Sequence, residues 1–260
     1  MEILDKFPIW VVFTSMLIIV LMASELGFRM GIVMKDKGSD TGDSRMTGAV
    51  VAGMLGLLGF LMAFSIGIAI GHHGERKSMV VSEANAVGTA WREAGLLNEP
   101  GSSTLRKLLH DYAEIRLDAA TLVIEFQDAV MRSEELHKDM WDIIERNVRE
   151  GNDSDIMSGI AQSINDVINT HSQRVTVAGK RLPRVLGIIL IGSLILSFLL
   201  VGVASSADGK RDTAAIVLFA LAIIAVFMLM VDLDRPQQGM LTVGQTAMTD
   251  ILRQMSPVSQ

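Results

Sequence analysis

The apolar residues of this sequence are gathered into four long blocks that carry almost no charge. The blocks cover 8–28, 46–71, 185–207 and 213–231, and the second has no charged side chain at all. A helix needs about 20 such residues to cross about 30 Å of hydrocarbon. We therefore predict four transmembrane helices. Only residues 208–212 separate the last two blocks, so these helices should form an antiparallel hairpin.

Between the second and third blocks lies a polar section, 72–184, whose apolar residues recur at steps of three and four. That spacing is typical of amphipathic helices, and we find no alternation that predicts a strand. The predicted polar helices cover 80–94, 105–129, 136–150, 160–182 and, after the last block, 243–255. His171 lies on one of the apolar stripes and is expected to be a core residue. The fold class is therefore an all-α membrane protein with a helical bundle inserted between its second and third spans.

The number of spans places both termini and section 72–184 on one side of the membrane. Eight Lys and Arg residues flank the spans on that side, against six on the other. Cytoplasmic loops carry the excess of positive charge in membrane proteins. We therefore expect 72–184 to be a cytoplasmic domain and 232–260 a C-terminal cytoplasmic segment.

Composition excludes several classes of function. The chain has no cysteine, so disulfides, thiolate metal sites and thiol nucleophiles are ruled out. Its net charge of −6 gives no basic footprint, and we expect no nucleic-acid partner. Phosphate-binding glycine loops, nucleophile elbows and zinc-protease motifs are missing from the sequence. We expect a protein that is not an enzyme, with no catalytic residues, no metal site and no cofactor.

Two stripes with a period of four residues run along the second block. One stripe consists of the small residues Gly59, Ala63, Gly67 and Gly71. Small residues let another helix approach closely in lipid. The neighbouring stripe is apolar and consists of Phe60, Phe64 and Ile68. If several copies of this helix surround an axis, the apolar stripe would form a dry constriction that gates ions. If it faces lipid or another span, it has a packing role only.

Charged residues near the spans offer two further candidates. Glu25 and Arg29 are four residues apart, which predicts a local ion pair on the first helix. Asp232 and Asp234 follow the fourth block directly. They are candidates for a cytoplasmic vestibule or a cation site, and solvation at the membrane interface is the simpler alternative.

Three stretches of the sequence resemble blocks of a bacterial membrane family of unknown function, the bestrophin-like domain family. They are 25–31 (ELGFRMG), 83–90 (EANAVGTA) and 232–243 (DLDRPQQGMLTV). The resemblance implies a protein of the bacterial inner membrane and, through distant similarity to bestrophins, a homo-oligomeric ion channel with its second span at the pore. Five subunits are suggested by the same analogy.

Bestrophins carry an apolar neck of residues spaced every four on the second span, and Phe60, Phe64 and Ile68 are similar in kind and position. Animal bestrophins also carry a dense acidic calcium clasp after the fourth span, where this sequence has only Asp232 and Asp234. The expected function is therefore an oligomeric channel for inorganic ions in a lipid bilayer. The alternative is a membrane-anchored scaffold or sensor whose helical domain binds a protein partner, with Trp91, Tyr112 and Trp141 as candidate contacts.

Overall fold

The computed structural model of the chain describes residues 7–36, 44–151, 155–207, 213–235 and 239–256. Every regular element within these ranges is a helix, as the apolar spacing predicts. The helices are α1 (Ile9–Asp36), α2 (Ser44–Ala94), α3 (Gly101–Ala120), α4 (Phe126–Arg149), α5 (Asp155–Ala178), α6 (Arg184–Ala207), α7 (Thr213–Asp234) and α8 (Thr246–Met255).

Four of these helices are long and apolar enough to cross a membrane: α1, α2, α6 and α7. This agrees with the four spans predicted from the apolar blocks. Helix α2 has 51 residues, or about 75 Å at 1.5 Å per residue, far more than a bilayer core requires. Between Arg45 and Glu75 it carries no Asp, Glu, Lys or Arg, so the apolar part of the helix is its first half.

The chain divides into two compact units. The first, here called the span unit, comprises Met1–His72 and Arg181–Leu241. The second, here called the bundle unit, comprises His73–Lys180 and Thr242–Gln260. Helix α8 therefore belongs to the bundle unit, whereas the predicted division into domains placed its residues in a C-terminal segment, 232–260.

The closest packing in the span unit is between α1 and α6, and glycines make it. A Cβ atom added to Gly27 of α1 would collide with the carbonyl oxygen of Leu199, and one added to Gly202 of α6 with that of Ser24. Side chains longer than hydrogen would therefore force the two backbones apart. Around this crossing lies the core of the unit, with Val20, Leu58, Leu190, Leu194, Phe198, Ile224 and Phe227 among its buried residues.

The core of the bundle unit is formed by the second half of α2 together with α3, α4, α5 and α8. Its fully buried side chains include Leu105, Leu109, Met140, Ile160 and Ile164. Gly88 of α2 provides the contact with α8, because a Cβ atom there would lie 2.8 Å from Cδ1 of Ile251. The predicted amphipathic helix near the C-terminus is thus confirmed as α8.

The predicted continuous helix over 105–129 is wrong, because the chain turns between α3 and α4. Leu122 adopts a positive φ of 60°, and the N–H of Val123 donates to the carbonyl of Asp118. This is a typical way to end a helix, with one residue in the left-handed region. The heptad spacing continues through the turn, but Leu122 and Val123 are exposed and do not contribute to the core.

Candidate functional site

The predicted gate residues lie on the outward face of α2 in the span unit. Phe60 is 68% exposed and Phe64 is 56% exposed, while Ile68 is half-buried against the core. On the opposite face, Leu58 and Met62 are buried in the unit. A single chain therefore leaves two large aromatic side chains of α2 without a protein neighbour to cover them.

The small-residue stripe of α2 is open as well. Gly59, Ala63, Gly67 and Gly71 are all exposed, and nothing lies within 4 Å of a Cβ atom built on any of the three glycines. Within the described part of the chain, no helix packs on this stripe. The glycines that do bring two helices together, on α1 and α6, were not identified from the sequence, although Gly27 lies in the block 25–31.

Asp232, at the end of α7, is buried, and its carboxylate accepts hydrogen bonds from two backbone N–H groups. Its Oδ1 accepts a hydrogen bond from the N–H of Met240 and its Oδ2 from the N–H of Leu241, each at 2.9 Å. Gly239 is required beside it, since a Cβ atom there would collide with the carboxylate. Both oxygens of this side chain thus hold the backbone of Met240 and Leu241 at the end of α7.

Asp234 joins a second segment to the same helix end. Its Oδ1 accepts from the N–H of Leu182 at 2.8 Å, and Nη1 of Arg181 donates to its backbone carbonyl. Arg235 donates to the carbonyl of Phe7 at 2.9 Å. In this chain Asp232 and Asp234, each 1% exposed, hold backbone segments together. Their role as vestibule residues stays a prediction.

The ion pair predicted on α1 is present: Nε of Arg29 donates to Oε1 of Glu25 at 2.8 Å. A different acidic group forms on α3, where ligand atoms of His110, Asp111 and Glu114 lie within 4.8 Å of one another. These side chains are partly or fully exposed on one helix face. Exposed groups of this kind are common on helices, and we assign no metal site to it.

The bundle unit contains a buried polar cluster that was not identified from the sequence. It consists of Glu83, Tyr112, Arg116, His137, His171 and Arg174, here called the Glu83 cluster. Glu83 of α2 is fully buried and forms ion pairs with Nε of Arg116 at 3.1 Å and with Nη1 of Arg174. It also accepts a hydrogen bond from the hydroxyl of Tyr112 at 2.7 Å. One carboxylate therefore connects α2 with α3 and α5.

Two histidines complete the cluster. Nδ1 of His171 lies 3.2 Å from the hydroxyl oxygen of Tyr112. The ring of His137, from α4, lies edge-on to the ring of His171, with 4.9 Å between the two centroids. Arg174 also donates to Oε1 of Gln245 at 3.0 Å, just before α8. Helices α3 and α5 thus contact Glu83 directly, while α4 and the residue that precedes α8 are each connected to it through one intermediate side chain.

The protonation of these groups follows from burial and the two guanidinium groups. Burial alone would raise the pKa of Glu83, which lies beyond the apolar half of α2, but Arg116, Arg174 and the Tyr112 hydroxyl outweigh it and lower the pKa. Burial and the nearby carboxylate raise the pKa of Tyr112 well above its usual value. Burial lowers the pKa of both His137 and His171 to about 4. At neutral pH the carboxylate is ionised and both imidazoles are neutral.

A signal for this cluster exists in the sequence. Val80, Val87 and Ala94 are buried on α2, and Glu83 falls at the same helical spacing, three residues after Val80. A carboxylate at a core position needs buried partners. His171, expected to be a core histidine, is confirmed as one, but its partner Tyr112 could not be inferred from spacing.

Similarity to known proteins extends over nearly the whole chain. A family model described as the Bestrophin-like domain matches residues 17–248. No curated protein matches the sequence. A variant of a bacterial bestrophin homolog from Klebsiella pneumoniae superimposes with a TM-score of 0.72 at 14% identity, covering 94% of this chain and 97% of that one.

A second structure of the bacterial bestrophin homolog from Klebsiella pneumoniae gives a TM-score of 0.69 at 12% identity, over 93% of this chain and 96% of that one. Identities this low establish a shared fold and nothing finer. The family model extends from α1 into α8 and the fold agrees along almost the full length. The chain therefore belongs to the bestrophin-like domain family.

Proposed function

We propose that this protein is a bestrophin-like ion channel, built from several copies of the chain around a pore that α2 lines. The observation that carries the proposal is the uncovered face of α2, where Phe60 and Phe64 stand out from the span unit beside an open stripe of glycines. Four spans are too few to enclose a pore alone. Copies related by a closed rotational symmetry could bring the same face of each α2 to one axis.

In this proposal the gate consists of Phe60, Phe64 and Ile68. The four-residue spacing keeps these side chains on one slowly drifting face, and they cover about 12 Å of helix at 1.5 Å per residue. A ring of apolar side chains of that length can stay dry and block ions. An apolar ring carries no charge, so it sets no preference between cations and anions.

The proposed setting is the bacterial inner membrane, with both termini and the bundle unit in the cytoplasm and inorganic ions as the transported species. The support for it is the family together with four apolar helices. Five subunits are proposed by analogy with bestrophins. We propose no catalytic activity and no cofactor.

The alternative, a scaffold or sensor that binds a protein through the bundle unit, has less support. Of its three candidate contacts, Tyr112 is fully buried in the Glu83 cluster and cannot reach a partner. Trp91 and Trp141 are half-buried against the core, and the guanidinium of Arg106 covers one face of Trp91 at 4.5 Å. Only part of each tryptophan is therefore open to a partner.

Ion flux through the purified protein in liposomes tests the channel directly. Replacing Phe60, Phe64 and Ile68 together by Ala should widen and wet the constriction, so that flux or bilayer conductance rises above wild type. A control replaces three exposed apolar residues on the other spans by Ala: Met22, Ile188 and Leu218. The control should behave as wild type. Equal flux in wild type and the gate variant would contradict the gate, and no flux in any of them would contradict the channel.

A further inference from the structure

Among the residues that the structure describes, three nitrogen atoms in the Glu83 cluster have no hydrogen-bond partner. They are Nη1 of Arg116, Nε2 of His137 and Nε2 of His171, and all are shielded from solvent. The three side chains are at most 7% exposed. Buried polar atoms of this kind are rare in folded proteins and call for a physical account.

The tautomer of His171 follows from its neighbours. The hydroxyl of Tyr112 has one proton, and it donates that proton to Glu83, which is ionised because two guanidinium groups contact it. The contact between Tyr112 and His171 therefore needs the proton on Nδ1 of the imidazole. Nε2 of His171 is then an unprotonated nitrogen with a free lone pair inside the protein.

The charges around the imidazoles are unbalanced. The only negative charge in the cluster is the carboxylate of Glu83, on α2. The cations are Arg116 on α3 and Arg174 on α5. Tyr112 on α3 and Gln245 before α8 are neutral. With neutral imidazoles the cluster already has one more positive than negative charge. A proton on His137 or His171 adds a second uncompensated charge in a site without solvent.

We propose that His137 and His171 form a buried proton-binding site that loosens the packing of α4 and α5 in the bundle unit when the pH falls. The site takes up a proton only when helix α4, which carries His137, moves enough to admit water or a counter-ion. Glu83 keeps its two ion pairs, so α2, α3 and α5 stay joined at this carboxylate while the contact between α4 and α5 opens. The site thus couples proton concentration to the conformation of the bundle unit, and it does so whether or not the protein conducts ions.

The direction of the effect follows from linkage. In the packed bundle both histidines have a pKa of about 4, whereas an imidazole released into water has its ordinary pKa near 6.5. Between these values the loosened state binds more protons than the packed state, so acid favours the loosened state. Stability is unaffected above about pH 7 and falls as the pH drops from about 6.5 towards 4. Against the effect of burial, the two guanidinium groups lower the pKa of Glu83, so its carboxylate stays ionised across pH 5–7.

The test uses the full chain in detergent and follows thermal unfolding by tryptophan fluorescence. Replacing Trp10 by Phe leaves Trp91 and Trp141, both in the bundle unit, as the reporters. The midpoint of this parent should fall by about 5–10 °C between pH 7 and pH 5. The double variant His137→Gln, His171→Gln should lose most of that fall. His110→Gln, a partly exposed histidine on α3, should keep the slope of the parent.

Equal pH slopes in the parent and the double variant would overturn the proposal. If the double variant does not fold, hydrogen–deuterium exchange of the wild type provides the decisive measurement. After correction for the intrinsic pH dependence of exchange, amides of α4 and α5 should exchange at least several-fold faster at pH 5 than at pH 7, while those of α1 and α6 should not. Unchanged protection of α4 and α5 would overturn the proposal equally.

Discussion

A few glycines decide how closely the span helices approach. At Gly202 the neighbouring atoms are the backbone of Ser24 and Phe28, which cannot move without moving α1. At Gly192, on the same helix α6, nothing lies within 4 Å of an added Cβ atom. Two glycines of one helix thus differ completely in what an extra methyl group would meet.

The substitution Gly202→Ala should therefore destabilise the protein. Forcing an extra methyl group into a close-packed contact typically costs about 1–3 kcal/mol. We expect a lower thermal midpoint for the purified protein in detergent, whereas Gly192→Ala should stay close to wild type. Equal midpoints for the two variants would show that the crossing of α1 and α6 is looser than described.

Contacts between side chains that are far apart in the sequence are the part of the site that the sequence does not predict. Spacing along a helix identifies His171 as a core residue, because burial is a local consequence of the apolar stripe. It does not identify Arg174 as the partner of Glu83, since the two are 91 residues apart and meet only through the packing of α5 on α2. For the same reason the contacts of Asp232 and Asp234 with backbone were not expected.

At the scale of the element, α2 is unusual in having one well-packed face and one open face. The apolar block at 46–71 and the apolar spacing over 80–94 each correctly indicate helix, and the structure joins the two in one element. What α2 packs against depends on the other copies or the lipid around it. The turn between α3 and α4 was missed because Leu122, not glycine, occupies the left-handed position.

The open stripe of α2 gives a test of assembly. If copies meet along this stripe, Gly67→Leu should obstruct their approach, and light scattering should give a smaller particle in detergent than wild type. Gly192→Leu adds the same side chain to another open position on α6 and should leave the mass unchanged. A wild-type monomer, or a Gly67→Leu variant of wild-type mass, would remove the basis for a central pore.

At the scale of the whole molecule, the order of elements matters as much as their packing. The bundle unit is inserted between the second and third spans and receives its last helix, α8, after the fourth. We propose that all four apolar helices cross the membrane, which would put 72–184 and the C-terminal segment on the same side. The positive-inside rule favours the cytoplasm for that side.

Thiol labelling suits this cysteine-free chain. Glu114→Cys places a thiol on an exposed position of α3, 58% exposed, and it should react with an impermeant reagent only after cells are opened. Asp40→Cys, between α1 and α2, should react in intact spheroplasts. Labelling of the Glu114 variant in intact spheroplasts would reverse the proposed topology.

The burial of Glu83 also bears on the order in which the bundle unit is completed during translation. Glu83 is synthesised before each of its partners, and Arg174 follows it by 91 residues, which takes roughly 5 to 20 seconds at ordinary translation rates. Gln245, which holds Arg174, emerges only after the third and fourth spans have been made. Until Arg174 is made, the carboxylate lacks one of its two counter-ions. The bundle cannot be complete until the last two spans have left the ribosome.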